Sequence, residues 1–138
     1  MSFSKAGKMY FSSNVKAGDS NNNYDIYSSE FRGGQFQTAA PAGEGVNTEA
    51  YEADVFVAPD ESYLVFAANR PGGLGSGDLF VSFRAEDGSW TPSRSLGNTI
   101  NTDTDDFCPN VSPDGKYLFY ASRGDVYWVS TEVIKNLR

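Results

Sequence analysis

The chain repeats itself at a spacing of 54 residues, and this repeat limits its possible folds more than any other feature. The match runs from residue 34 to residue 70 without a gap. It places Asn47-Thr48 on Asn101-Thr102 and Pro59-Asp60 on Pro113-Asp114. Most matched positions are turn residues or large apolar residues, as a shared backbone requires. A period of this length indicates small structural units that stack in series and bury their apolar faces on one another.

A third copy of the unit begins at the N-terminus. Residues 4–11 match residues 112–119, and a short motif of the Asp-Ile-Tyr type also occurs three times, beginning at Asp25, Asp78 and Asp125. We therefore predict a single propeller-type domain that extends over the whole chain and contains three repeats. Their approximate bounds are 1–54, 55–108 and 109–138.

Each repeat has the pattern of a small antiparallel sheet. Residues 63–68 and 117–121 are continuously apolar, which predicts strands that are covered on both faces. A Pro-Asp-Gly turn precedes the second of these strands, and Asp87-Gly88 is a hairpin signal that follows a later strand. Pro92 suits an outermost strand, which can lack one N–H donor. The predicted fold class is all-β, with β-propeller blades of four-stranded antiparallel sheets and three blades per chain.

These segments resemble the WD40-like repeats of TolB-type β-propellers. The family pattern is Ser-Pro-Asp-Gly-Lys, an apolar block, Ser-Asn-Arg, a Gly-rich loop and Asp-Ile-Tyr. It is matched by residues 112–116 in the third repeat, and by residues 68–73 and 78–80 in the second. Lys5-Ala6 and Glu61-Ser62 depart from the pattern in the other two turns. The resemblance implies half of a six-bladed propeller, and it implies a fold more than an activity.

The composition excludes several kinds of chemistry. Histidine is absent, so the chain alone cannot build a Ser-His-Asp or Cys-His centre or a histidine-containing zinc site. The net charge of −7 argues against binding to nucleic acid. Cys108 is the single cysteine and cannot form an internal disulfide. We expect it to be a small buried residue.

Carboxylates cluster in the links that lead into the innermost strands. Asp103, Asp105 and Asp106 offer oxygen ligands suited to Ca²⁺, and turn-capping by side chains is the alternative. Glu52 and Asp106 share one position of the repeat. We therefore expect Glu52, Asp105 and Asp106 to bind a cation or an amine at the mouth of the central channel, unless they are simply solvated loop carboxylates. No cofactor other than Ca²⁺ is expected.

Three blades do not close a ring, since propellers have roughly 4–8 blades. We therefore predict that two copies associate into a closed six-bladed ring, unless the chain is part of a longer protein. The favoured function is a non-enzymatic scaffold that binds a protein or small ligand at the channel mouth. The alternative is a carbohydrate-active propeller of the glycosidase or sialidase type, or a peptidase-associated one.

The N-terminal residues show no apolar core of a signal peptide, and no apolar run has the length of a membrane helix. The expected location is the cytoplasm if the chain is complete. It is the periplasm if the chain is a fragment of a secreted parent. No membrane insertion is expected.

Overall fold

The computed structural model describes residues 1–14 and 23–138, which form antiparallel strands and one short helix. The elements are β1 (Ser2–Phe3), β2 (Met9–Ser13), β3 (Asp25–Ser29), β4 (Phe31–Arg32), β5 (Gln35–Phe36), β6 (Ala40–Pro41), β7 (Tyr51–Val57), β8 (Tyr63–Asn69), β9 (Asp78–Phe83), β10 (Arg94–Ser95), β11 (Asp106–Val111), β12 (Tyr117–Ser122), β13 (Asp125–Ser130) and α1 (Glu132–Lys135). Three sheets have the strand orders β1-β2-β3-β6, β7-β8-β9-β10 and β11-β12-β13, and we call them blades 1, 2 and 3. Strands β4 and β5 form a separate hairpin. The predicted all-β class with propeller-like blades is confirmed.

Blade 3 has three strands in the described part of the chain, because the chain leaves β13 and enters α1. Ile134 of this helix is 2% exposed and packs into the core between blades 2 and 3. The four-stranded pattern therefore applies to blades 1 and 2. No helix within residues 1–14 and 23–138 has the length and apolar character needed to cross a membrane.

The core lies between the blades, and strand β8 contributes to both of its halves. Leu64 and Phe66 pack in the cluster shared with blade 1. Val65 and Ala67 pack in the cluster shared with blade 3. Because successive side chains of a strand point to opposite faces, a continuously apolar strand is what a sandwiched blade requires. The coverage predicted for residues 63–68 is confirmed. The same prediction for residues 117–121 is wrong within this chain, because Tyr117 and Phe119 are exposed on the face of blade 3 that no further blade covers.

Each blade carries one stacked pair of aromatic rings between its second and third strands. The ring centroids are 5.9–6.2 Å apart and the rings are within 26° of parallel. The pairs are Phe11 with Tyr27, Phe66 with Phe80, and Tyr120 with Tyr127. These pairs identify equivalent positions in the three blades independently of the sequence match.

The pairs also correct the alignment of the first repeat. The sequence match places Phe11 on Phe119, whereas the stacked pair places it on Tyr120. The reason is a shorter turn: Ser4 donates its N–H to the carbonyl of Lys8, while the corresponding turn in blade 3 closes over one more residue.

The innermost strands of blades 2 and 3 have bulges at the same position of the repeat. Asp54 has φ of 52° and Cys108 has φ of 51°, and the strand register shifts at both sites. The expectation that Cys108 is buried is wrong, because the bulge takes this residue out of the ladder and leaves it exposed.

Candidate functional site

Two asparagine side chains fasten the links between blades. The Asn101 amide accepts a hydrogen bond from the N–H of Leu79 over 2.8 Å and donates to the carbonyl of Leu79 over 3.0 Å. Asn47 makes the same two bonds with Ile26, over 2.8 and 2.9 Å. Each asparagine amide thus makes the pair of hydrogen bonds that a neighbouring β-strand would make. These bonds connect the link to the third strand of the preceding blade.

Glu52 and Asp106, which we expected at the channel mouth, lie below these links and are 0% exposed. Glu52 accepts hydrogen bonds from the N–H and the hydroxyl of Thr48, over 3.1 and 2.5 Å. Asp106 accepts from the N–H of Thr102 over 2.6 Å and from its hydroxyl over 3.2 Å. This geometry supports the turn-capping alternative for both carboxylates. Ligand binding by Glu52 and Asp106 stays a prediction.

Arg70 completes the arrangement in blade 2. Its Nε and Nη2 donate to Glu52 Oε1 over 3.1 and 3.0 Å. Further bonds of 2.7 Å reach the carbonyl of Val46 and the hydroxyl of Ser93. The guanidinium carbon lies 4.6 Å from the ring centroid of Phe80, a cation–π distance. Arg70 is not among the site residues predicted from the sequence, although the family-like Asn-Arg segment at residues 69–70 is a usable signal for it.

The remaining candidate ligands of Ca²⁺ do not converge. Asp103 pairs with Arg123 over 3.1 Å at the surface. Asp105 is exposed, and its backbone forms an isolated bridge with Gly77. Among residues 1–14 and 23–138, no three His, Cys, Asp or Glu side chains are grouped so that they could hold a metal ion. Calcium binding by Asp103, Asp105 and Asp106 therefore stays a prediction without geometric support.

A cleft of about 280 Å³ lies beside the innermost strands of blades 2 and 3. Its lining includes the carboxylates of Asp54 and Asp105 and the rings of Tyr51 and Phe107. Burial and the nearby Asp54 carboxylate raise the pKa of the Tyr51 phenol, so this ring stays neutral near pH 7. Carboxylates beside aromatic faces suit an amine or another cation. Of the three predicted ligand-binding residues, only Asp105 lines this cleft.

Comparison with known proteins supports the fold. The chain is similar to the crystal structure of TolB from Acinetobacter baumannii, with a TM-score of 0.63 and 18% sequence identity over 95% of this chain and 29% of that chain. No protein-family model matches the chain, and no curated protein matches it. The chain thus has a TolB-like β-propeller fold and spans 29% of the length of that TolB structure.

Proposed function

We propose that this protein is a non-enzymatic β-propeller scaffold that closes its ring with a second copy of itself and binds a ligand at the channel mouth. One observation carries this proposal. Val126 and Trp128 are 66% and 63% exposed, whereas Leu79 and Val81, their counterparts in blade 2, are 0% exposed. The face of the sheet that is buried in the core in blade 2 is therefore exposed in blade 3.

The uncovered surface of blade 3, which we call the open face, is continuous and aromatic. Its members are Phe107, Tyr117, Phe119, Val126 and Trp128, each at least 38% exposed. Trp128 stands opposite Phe119 in the strand pairing and meets the ring of Tyr117 edge-on at 5.3 Å. Large exposed apolar patches mark interaction sites, and covering this one releases water from several rings.

A second copy fits the open face because the chain already contains the same contact. Blade 2 covers blade 1 with a face that includes Leu64 and Phe66. Phe11 of blade 1 is the counterpart of Phe66 and belongs to the face of blade 1 that points away from blade 2. A partner's blade 1 can therefore repeat the contact. Two such contacts, related by a twofold axis, close a ring of six blades.

Two features favour binding over catalysis. Glu52 and Asp106 lie at the starts of the innermost strands β7 and β11, are fully buried, and are both held by threonines that cap turns. Neither is placed to act as an acid or a nucleophile. The carboxylates that line the cleft of about 280 Å³, Asp54 and Asp105, instead suit a small cationic ligand.

Light scattering after size-exclusion chromatography tests ring closure. We expect twice the chain mass of 15.0 kDa for the wild type. Trp128→Lys should give a monomer, because it places a charge in the open face. Phe31→Lys is the matched control, since Phe31 is 50% exposed on the separate β4–β5 hairpin. A wild-type protein that stays monomeric at tens of micromolar contradicts closure by a second copy. The open face would then have to be covered by additional blades of a longer protein.

Titration with n-butylammonium, followed by amide chemical shifts, tests the ligand site. We expect saturable shifts around Asp105 and weaker binding in Asp105→Asn. Asp103→Asn is the control, because Asp103 does not line this cleft. Equal affinity in both variants would argue against the site.

A further inference from the structure

A second and larger cleft, of about 490 Å³, lies between blades 2 and 3 at the link of residues 98–103. Its lining contains the repeat counterparts of residues that surround the Arg70–Glu52 pair. The cleft is lined by Ile100, Thr102, Tyr120 and Tyr127. Their counterparts around the Arg70–Glu52 pair are, in the same order, Val46, Thr48, Phe66 and Phe80. The cleft is thus the blade 3 version of the space that Arg70 fills in blade 2.

The arginine itself is missing from this second version. The loop after β8 runs from Arg70 to Gly77, whereas β12 and β13 are joined by Arg123 and Gly124 alone. These two residues have φ of 50° and 79°, as a two-residue hairpin turn with two positive φ angles requires. Gly124 therefore occupies the repeat position of Arg70. The side chain of Arg123 pairs with Asp103 at the surface.

The blade 3 counterparts of two groups that Arg70 binds in blade 2 have no cationic partner in the described part of the chain, and a buried hydroxyl of blade 3 lies near them. Asp106 is 0% exposed and, within the described residues, is hydrogen-bonded by Thr102 and by no cation. The carbonyl of Ile100 accepts no hydrogen bond from the described part of the chain, whereas that of Val46 accepts one from Arg70. The hydroxyl of Ser122 is buried, lines the cleft and has no partner among these residues. Buried polar groups of this kind are costly unless something pairs with them.

We propose that this cleft, the vacated arginine site, binds a guanidinium group from outside the chain. Asp106 does not line the cleft itself, but it is buried against the lining residue Thr102 and supplies a negative charge beside the cleft. The stacked rings of Tyr120 and Tyr127 supply an aromatic face like the one that Arg70 contacts. Aspartate is one methylene shorter than the glutamate of blade 2, which leaves more room for an incoming group. A planar guanidinium can stack and donate several N–H bonds at once, and an ammonium cannot do both.

The electrostatics of Tyr120 are consistent with this geometry. Burial, and next the Asp106 carboxylate, raise the pKa of the Tyr120 phenol. The Asp106 carboxylate therefore acts on a ring that lines the cleft. The lining also contains Asp103 and Arg123, whose opposite charges pair with each other.

Titration with N-acetyl-arginine amide, followed by amide chemical shifts, tests the proposal on the intact chain. We expect saturable shifts at Thr102, Ser122 and Tyr127 with a dissociation constant on the order of 1 mM, a usual strength for so small a ligand. N-acetyl-citrulline amide has the same shape without the charge and should not bind. N-acetyl-lysine amide should bind more weakly. A capped Gly-Ser-Arg-Ser-Gly peptide distinguishes the sources: equal affinity indicates an arginine of a partner protein, and loss of affinity indicates a free small molecule.

Two variants assign the binding to this cleft. Asp106→Asn should lower the affinity by at least about tenfold, because the buried negative charge beside the cleft is removed. Asp114→Asn, in the exposed turn before β12, is the control and should bind as the wild type does. If Asp106→Asn does not fold, Tyr127→Ala replaces it, since Tyr127 is 43% exposed and its ring faces the ligand.

Several outcomes would overturn the proposal. They are equal binding of the citrulline compound, an unchanged affinity in a folded Asp106→Asn or Tyr127→Ala variant, and no binding to the wild type. Binding that appears only after Arg123→Gln would identify Arg123 as the natural occupant and would also overturn it. The cleft lies within one chain, so the result does not depend on ring closure. Ser122 and Tyr127 line the larger cleft and not the smaller one, so the shifts at these residues test the two ligand sites separately.

Discussion

The backbone N–H of Cys108 donates to the carboxylate of Asp54 over 3.3 Å, and these two residues occupy the same position in successive repeats. Both have φ close to 50° in bulges of the innermost strands. Such a conformation costs a non-glycine residue about 1–3 kcal/mol and persists only where surrounding contacts impose it. The hydrogen bond joins the two bulges, so a strained position in each blade contributes to the contact between them.

This contact predicts that the Cys108 thiol reacts slowly with alkylating reagents. Burial and the Asp54 carboxylate raise the pKa of Cys108, whose Sγ lies 3.7 Å from Asp54 Oδ2. Because the thiolate is the reactive form, alkylation by iodoacetamide at pH 8 should be slower than that of a free cysteine. Asp54→Asn should lower the thiol pKa and speed the reaction by a few-fold. Asp103→Asn is the control, and equal rates in the two variants would show that Asp54 has no such influence.

The buried ion pair of blade 2 should matter far more to stability than an exposed one. Arg70→Met leaves Glu52 buried without a cation, and we expect a loss of about 3–5 kcal/mol in the free energy of unfolding. Arg32→Met breaks the exposed pair with Glu30 and should change the free energy of unfolding by less than about 1 kcal/mol. Urea unfolding followed by tryptophan fluorescence measures both. Similar midpoints for the two variants would contradict the role given to Arg70.

Asn101→Ala should loosen the link between blades 2 and 3. It leaves the buried N–H of Leu79 without an acceptor, at about 1–3 kcal/mol, while the carbonyl of Leu79 keeps its hydrogen bond from the N–H of Leu96. Asn101→Asp places a buried carboxylate against the carbonyl oxygen of Leu79, so it should destabilise the protein at least as much as Asn101→Ala does. Asn110→Ala, at an exposed position, is the control. The prediction fails if chemical denaturation ranks Asn101→Ala with Asn110→Ala.

Gly75 is required by a close approach between a loop of blade 2 and the link that follows it. An added Cβ would lie 1.8 Å from the carbonyl oxygen of Thr104 and 2.8 Å from that of Thr102. Gly75→Ala should therefore lower stability by about 1–3 kcal/mol in thermal unfolding. Gly72→Asn tests the same loop at a site with open space, where asparagine tolerates the φ of 83°. Equal melting temperatures would mean that the loop moves aside without cost.

The repeat predicted the strands well and the site poorly. The apolar run at residues 63–68 is buried on both faces, as its pattern predicts, whereas the similar run at residues 117–121 has one exposed face. Glu52 and Asp106 were correctly identified as equivalent, but their surroundings come from Thr48, Thr102 and the loop after β8, which the period does not describe. A repeat shows which residues correspond and not which of them point inward.

The sequence by itself determined the number of blades, their antiparallel strands and the need for cover on both faces, because these follow from spacing and apolar pattern along the chain. Only the tertiary structure decided the pairing of Asp54 with Cys108, the burial of Glu52 with Arg70 and the cleft left beside Asp106. These depend on hairpin length and on contacts between residues tens of positions apart. A two-residue turn at Arg123 and Gly124 connects two strands as well as a longer loop does. It nevertheless puts a glycine at the repeat position where blade 2 has the buried Arg70.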